Sequence, residues 1–248
     1  LRKSQGRVTQ RLDKILANMG VGTRAEVKKM IRNGEVTVDG ETVTDGGRQV
    51  DPEKADILVG GSRLRYRKFI YLMMNKPPGV VSATEDVRER TVLDLLGDEY
   101  RPLAPFPVGR LDKDTTGLLL LTNDGQLAHR LLSPKRHVDK TYRAVVDGTV
   151  GEAEAERFAR GVMLDDGYVT MPAVLRVIRS SPDRSEVEVT IREGKFHQVK
   201  RMFAAVGRNV LELQRLSMGP LVLDPELRPG QYRELKEEEL AALAPYMH

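Results

Sequence analysis

The sequence of 248 residues contains no cysteine. That excludes disulfides, thiolate zinc sites and cysteine nucleophiles, and it fits a reducing compartment. Histidine is scarce: His129, His137, His197 and His248 are the only ones, and their spacing matches no metal-ligand pattern. No metal is therefore expected. No apolar run approaches the roughly 20 residues that span a bilayer, and no signal-peptide pattern opens the sequence, so the expectation is a cytoplasmic protein with no membrane partner. Internal repeats and low-complexity tracts are also lacking. What remains, 40% hydrophobic and 31% charged, is the composition of an ordinary globular protein with enough chain to bury a sizeable core.

Net charge is only +4, but it is unevenly spread. Residues 1–34 carry nine Lys and Arg (Arg2, Lys3, Arg7, Arg11, Lys14, Arg24, Lys28, Lys29 and Arg32) against two acids, Asp13 and Glu26. The rest of the chain is slightly acidic. A basic module on a near-neutral body points to a polyanion partner held at one end, although a solvated basic face has the same charge.

In that module Leu12, Ile15, Leu16 and Met19 share one helical face, with Thr9 placed to cap it and Gly20 to end it. Thr23-Arg-Ala-Glu26 is a capping box that opens a second helix burying Val27, Met30 and Ile31. Arg24, Lys28 and Arg32 form its outer stripe, and Asn33-Gly34 closes it. Two strands, 36–38 and 41–43, flank Asp39-Gly40, a pair suited to a type I′ turn. The pattern Arg11-Leu-Asp-Lys-Ile-Leu…Gly20…Thr23-Arg24…Ile31-Arg-Asn-Gly34-Glu-Val36-Thr-Val38-Asp-Gly40 resembles the S4 RNA-binding domain along its whole length. The resemblance implies that Arg11, Lys14, Arg24, Lys28 and Arg32 face RNA phosphates, which would make binding salt-dependent. A protein–protein adaptor is the competing reading.

Residues 9–55 thus make an S4-like domain. Residues 56–67 read as a linker, flexible at Gly60-Gly61-Ser62 and basic at Arg63, Arg65 and Arg67. A second domain, 68–248, opens with the apolar strand 69–74, followed by Asn75-Lys76-Pro77-Pro78-Gly79 as a turn. Further strands are expected at 118–121, 141–146, 174–178, 187–192 and 210–216, and helices at 91–96, 126–132, 152–160, 196–206 and 235–243. Strands outnumber helices without strict alternation, so the fold class is α+β with a central mixed, largely antiparallel sheet.

Three stretches set polar groups against apolar strands. In Gly109-Arg-Leu-Asp112-Lys-Asp-Thr-Thr-Gly117-Leu-Leu-Leu-Leu-Thr-Asn-Asp-Gly125, two glycines bracket a charged loop that feeds a buried strand. This would fix a carboxylate at a cleft edge; it also fits a loop of helix-capping aspartates. The second is Lys140-Thr-Tyr142, whose tyrosine alone reads as core. The third, Glu193-Gly194-Lys-Phe-His197-Gln198-Val-Lys200-Arg201-Met-Phe, opens a helix with a dense basic cluster.

The first stretch carries the motif of the RsuA-like family of bacterial rRNA pseudouridine synthases, and the resemblance extends over essentially the whole chain. It implies that Asp112 is the nucleophile, that Tyr142 stacks on the target base, and that Lys200 is the cation beside Asp112, favouring its ionised form. Arg110 would hold the flipped-out geometry, and Leu213 would pack near the base. His197, Gln198 and Arg201 are candidate RNA contacts. Asp114 matches no catalytic position and reads as structural, as does the Lys76-Pro77-Pro78-Gly79 segment. The family isomerises uridine without redox change, so no cofactor is expected. Asp114-Thr-Thr-Gly117 with Ser133-Pro134…His137-Val-Asp-Lys140-Thr-Tyr142 is most similar to the branch acting on uridine 516 of 16S rRNA; sister branches act on 23S rRNA. The implied partner is ribosomal RNA or a ribosome-assembly intermediate, engaged by a monomer. Asp112 would start the reaction by nucleophilic attack or by taking a sugar proton. Two other classes compete: a non-catalytic S4-type RNA-binding or assembly protein, and a hydrolase with a second carboxylate facing Asp112.

Overall fold

The computed structural model describes residues 9–247, and the basic extension with Arg2, Lys3 and Arg7 lies outside them. The described residues divide into two units, 9–69 with 97–104, and 70–96 with 105–247.

The first unit runs β1 (Gln10–Arg11), α1 (Leu12–Asn18), α2 (Arg24–Arg32), β2 (Val36–Val38), β3 (Glu41–Thr42), β4 (Gln49–Val50), β5 (Ile57–Val59) and β6 (Ser62–Arg63). Both helices end on a left-handed glycine, Gly20 and Gly34. In each case the next residue's N–H bonds back to the helix, Val21 to Leu16 O and Glu35 to Met30 O. This Schellman arrangement satisfies carbonyls that the helix leaves open. The Thr23–Glu26 box forms in both directions, at 3.3 and 2.7 Å. Thr9 does not cap α1. The cap position is Arg11, and the free N–H groups of Leu12 and Asp13 bond instead to the backbone carbonyls of Arg48 and Gly46. Asp39 and Gly40 both take positive φ between β2 and β3, as a type I′ turn requires. Leu12, Ile15, Leu16, Val27, Ile31, Val36, Val38, Val43, Val50 and Ile57 form the core, against which Met30 packs half-buried.

The linker reading of residues 56–67 needs correction. Residues 57–63 are a second hairpin, with Gly60-Gly61 as its tight turn, and they complete a four-stranded sheet ordered β3-β2-β5-β6. The paired glycines supply positive φ for a turn rather than slack. Residues 97–104, which follow a stretch of the second unit in sequence, also belong to the first.

The second unit is built on a nine-stranded sheet. Its elements are β7 (Tyr71–Lys76), β8 (Phe106–Pro107), β9 (Thr116–Thr122), α3 (Gly125–Leu132), β10 (Lys140–Asp147), α4 (Glu152–Arg160), β11 (Val174–Ser180), β12 (Arg184–Ile191), α5 (Gln198–Ala205), β13 (Val210–Met218), β14 (Leu221–Val222), β15 (Tyr232–Glu234) and α6 (Glu237–Leu243). The main strand order is β11-β12-β10-β13-β9-β7-β15, with β14 on β13 and β8 on β9. Every pairing is antiparallel except β13 with β9. The fold is therefore α+β with a mixed, largely antiparallel sheet. Leu118 to Leu121 are fully buried, as expected of a strand covered on both faces. Asn75 and Lys76 are not in a turn: they extend β7, pair with Leu118 and Gly117, and are buried. Among the described residues no helix is long and apolar enough to cross a membrane.

Candidate active site

The loop carrying Asp112 enters β9, and buried polar side chains fix its shape. Ser82 clamps Leu111 from both sides: its hydroxyl donates to the Leu111 carbonyl and accepts from the Leu111 N–H, each at 3.1 Å. Lys76, fully buried, donates from Nζ to the carbonyls of Pro77, Lys113 and Thr115 at 3.0, 3.2 and 2.9 Å. Burial pushes the Lys76 ammonium down to about 8, against the attraction of Asp114 and Asp112. Thr115 N–H closes a turn on the Asp112 carbonyl at 3.0 Å. Downstream, Gly117 has φ +101°, and a Cβ there would collide with the backbone carbonyl oxygen of Arg215 where β9 runs beside β13. Only glycine lets the two strands meet at this point.

A second loop, Glu193 to His197, brings up the basic cluster. Glu193 accepts from Tyr168 Oη at 2.6 Å, Met171 N–H at 2.7 Å and Gln198 Nε2 at 2.9 Å. The loop ends at His197, which takes a left-handed φ of 50° at the cap of α5 and stacks on Phe196 with ring centroids 3.7 Å apart. One helical turn on, Lys200 reaches back towards the first loop.

The two loops meet at Asp112. Lys200 Nζ lies 3.1 Å from Asp112 Oδ2, and His197 Nε2 lies 3.4 Å from Asp112 Oδ1. Lys200 Nζ is closer still to Asp114 Oδ1, at 2.7 Å. Asp114 thus has a role the sequence reading did not assign it: it shares the lysine with Asp112. Lys200 is partly buried, which disfavours its charge, but hydrogen bonds to Asp114 and Asp112 outweigh that and raise its pKa. The Lys200 hydrogen bond holds the Asp114 carboxyl below its ordinary value.

Asp112, Lys200 and His197 line a cavity of about 830 Å³ together with Arg110, Tyr142 and Leu213. The volume is in the range of pockets that enclose a small organic ligand. Tyr142 and Leu213 are each 8% exposed, on the adjacent strands β10 and β13. Arg110 is exposed. The arrangement offers a carboxylate flanked by cationic and hydrogen-bonding groups, with an aromatic ring in the same enclosure.

Three other candidates are differently engaged. Gln198 is buried, and its amide is used up on Glu193 and on the Lys195 N–H, so it shapes the loop rather than presenting itself to a ligand. Arg201 lies outside the cavity lining and is neutralised by ion pairs to Asp165 and Asp166, with a further bond to the Phe196 carbonyl. In the first unit Arg11 pairs with Asp13 at 2.7 Å, whereas Lys14, Arg24, Lys28 and Arg32 stand exposed. Sequence reasoning also passed over Arg215, a buried cavity residue, although alternation along β13 places it on the same face as Leu213.

Comparison with known proteins shows the family. The family model of RNA pseudouridylate synthase matches residues 70–205, and that of the S4 domain matches residues 10–55. The uncharacterized RNA pseudouridine synthase YtzG of Bacillus subtilis is 53% identical over 94% of this chain and 98% of its own. Ribosomal small subunit pseudouridine synthase A of Escherichia coli K12 is 45% identical over 94% of this chain and 99% of its own. A crystal structure of a pseudouridylate synthase superimposes with a TM-score of 0.65 at 39% identity, covering 94% of this chain and 99% of the other. An S4 module, the synthase sheet and near-full-length identity to named synthases together show that the chain belongs to the RsuA-like family of pseudouridine synthases, enzymes that isomerise uridine in RNA.

Proposed function

We propose that the enzyme converts uridine 516 of 16S ribosomal RNA to pseudouridine, with Asp112 as the nucleophile. The observation that carries this reading is the 3.1 Å contact of Lys200 with Asp112 inside the cavity that Tyr142 also lines. A stacked base cannot reach such a site, so the target nucleotide is flipped in, at a cost of roughly a few kcal/mol. Tyr142 then stacks on the uracil ring, and Leu213 packs beside it. Arg110, on the same loop as Asp112, holds the flipped-out geometry, and His197 contacts the RNA. Lys200 orients the carboxylate, which attacks C1′. Covalent attack divides a difficult glycosidic cleavage into two easier steps. In the S4 unit, Lys14, Arg24, Lys28 and Arg32 take phosphates of the ribosomal RNA.

The small-subunit target is supported by the 45% identity to the Escherichia coli enzyme named for that subunit. Tritium release from RNA carrying 5-tritiated uridine tests the site: Asp112→Asn should lose activity while still binding RNA, and full activity in that variant would sink the assignment. Pseudouridine mapping of rRNA in a deletion strain tests the target. Loss of a single 16S position is expected, and loss of a 23S position would move the enzyme to a sister branch.

A further inference from the structure

The acidic side of the cavity accounts for attack at the sugar. The opposite requirement, a place for the departing base, is met by other residues. Among the described residues three buried side-chain N or O atoms have no hydrogen-bond partner: Asn75 Oδ1, Thr115 Oγ1 and Arg215 Nη2. Thr115 and Arg215 both line the cavity. A buried guanidinium donor without a partner is unfavourable, and its persistence in a cavity wall points to a partner that comes with the ligand.

Arg215 is only 2% exposed, and its Nε donates to the Leu118 carbonyl at 2.9 Å, which fixes the plane of the guanidinium. On β13 it is the direct cross-strand partner of Tyr142 on β10, so the two side chains leave the sheet on the same face. Lys140, two residues before Tyr142, lines the same cavity and donates to the Val138 carbonyl at 3.2 Å. Burial, and then the charge of Arg215, push the Lys140 ammonium below its ordinary value. Two cations therefore share the cavity with the ring on which the base is to stack.

The chemistry needs such a pole. When N1–C1′ breaks, its electron pair stays with N1, and uracil leaves as an anion with charge spread over N1, O2 and O4. This holds whether Asp112 forms a bond to C1′ or removes a sugar proton. C5 later supplies the pair for the new C5–C1′ bond, and the proton on C5 is released. We propose that Arg215, with Lys140 beside it, grips a carbonyl oxygen of the flipped uracil through its guanidinium and stabilises the uracil anion as the glycosidic bond breaks. The proposal rests on the pseudouridine synthase reading and assigns the base-binding side of that same site. A fixed donor aimed at developing charge is typically worth a factor of about 10² to 10³ in rate.

Single-turnover conversion at saturating target RNA tests it, with RNA affinity and thermal melting measured alongside. Arg215→Gln should slow conversion about 100-fold or more while RNA affinity stays at the wild-type value; Arg215→Lys should recover part of the rate. A wild-type rate in Arg215→Gln would overturn the proposal. Because Arg215 also holds the Leu118 carbonyl, a second arm uses the unaltered enzyme on RNA with 2-thiouridine or 4-thiouridine at the target. Sulfur is a weak acceptor, so one of the two should be converted more slowly than uridine, and that deficit should shrink in Arg215→Lys. Equal wild-type rates on all three nucleosides would also overturn it. An unaltered enzyme that converts no uridine at all would instead remove the underlying functional reading.

Discussion

The two units carry their charges differently. In the first, Arg24, Lys28 and Arg32 lie on the exposed face of α2, opposite Val27 and Ile31. Their arrangement follows from one helical period, and each works as a solvated point charge. In the second, Lys200 and Asp114 are 86 residues apart and 2.7 Å from one another. Lys76 is sealed beneath the loop that carries Asp114. Charge on a helix face can be removed piecemeal; charge in the cavity depends on a frame of buried bonds, so small changes there should have large effects.

The largest expected effect is at Gly117. Gly117→Ala combines a φ that an L-residue avoids with a collision against Arg215, and should destabilise the second unit by about 3 kcal/mol or more. Urea unfolding would show it, and a loss under about 1 kcal/mol would mean that β9 and β13 can part at little cost. Lys76 comes next. A lysine whose folded-state pKa lies below its unfolded value weakens the fold while protonated, fully so below about 8, and this penalty fades as pH rises towards 10.5. The stability of wild type relative to Lys76→Met should therefore rise between those pH values, by at most about 3 kcal/mol. A flat difference would show that the three carbonyls fully compensate the burial.

Lys200→Met should cut the rate of pseudouridine formation about 100-fold with little change in RNA affinity. If affinity falls instead and the rate holds, Lys200 serves the RNA and not Asp112. The first unit supplies the contrast. Replacing Arg24, Lys28 and Arg32 by Gln should weaken RNA binding and flatten its salt dependence, by roughly 0.7 to 0.9 in log–log slope for each phosphate no longer neutralised. The rate at saturating RNA should hold. Asp114→Asn is the mildest change: the carboxylate side chain is 74% exposed, so its pair with Lys200 should contribute under about 1 kcal/mol to stability. Its pKa is lowered in the fold, so that contribution exists above the ordinary carboxylate range and disappears as pH falls through the folded value. A variant as inactive as Asp112→Asn would make the pair of carboxylates, rather than Asp112 alone, the functional unit.

Much of the fold is readable where short-range rules govern. The Thr23–Glu26 box, the Asp39-Gly40 turn and the glycines ending α1 and α2 each involve residues a few positions apart, and all form. Reading fails where a partner lies far away. Residues 57–63 read as a linker because their strands are only three and two residues long and the glycine pair suggests slack, yet β5 finds its partner in β2. Asn75 and Lys76 read as part of the following proline turn, yet β9 draws them into the sheet. Thr9 is displaced as a cap because backbone carbonyls at residues 46 and 48 take the open N–H groups of α1.

By itself the sequence determined the local elements, the basic face of α2 and, through the motif around Asp112, the kind of chemistry to expect. The first two depend on residue type and on spacings of two to four residues, which the backbone geometry turns into neighbours; the third depends on the resemblance of that motif to a known family. Only the tertiary structure decided which charges are spent and which are available. It set Lys200 between two carboxylates, neutralised Arg201 with Asp165 and Asp166, buried Lys76 under the loop, and left Arg215 with a donor unpaired in the cavity wall. The reason is physical: the state of a charged group depends on its solvation and its nearest charges, and in a folded chain those come from distant segments.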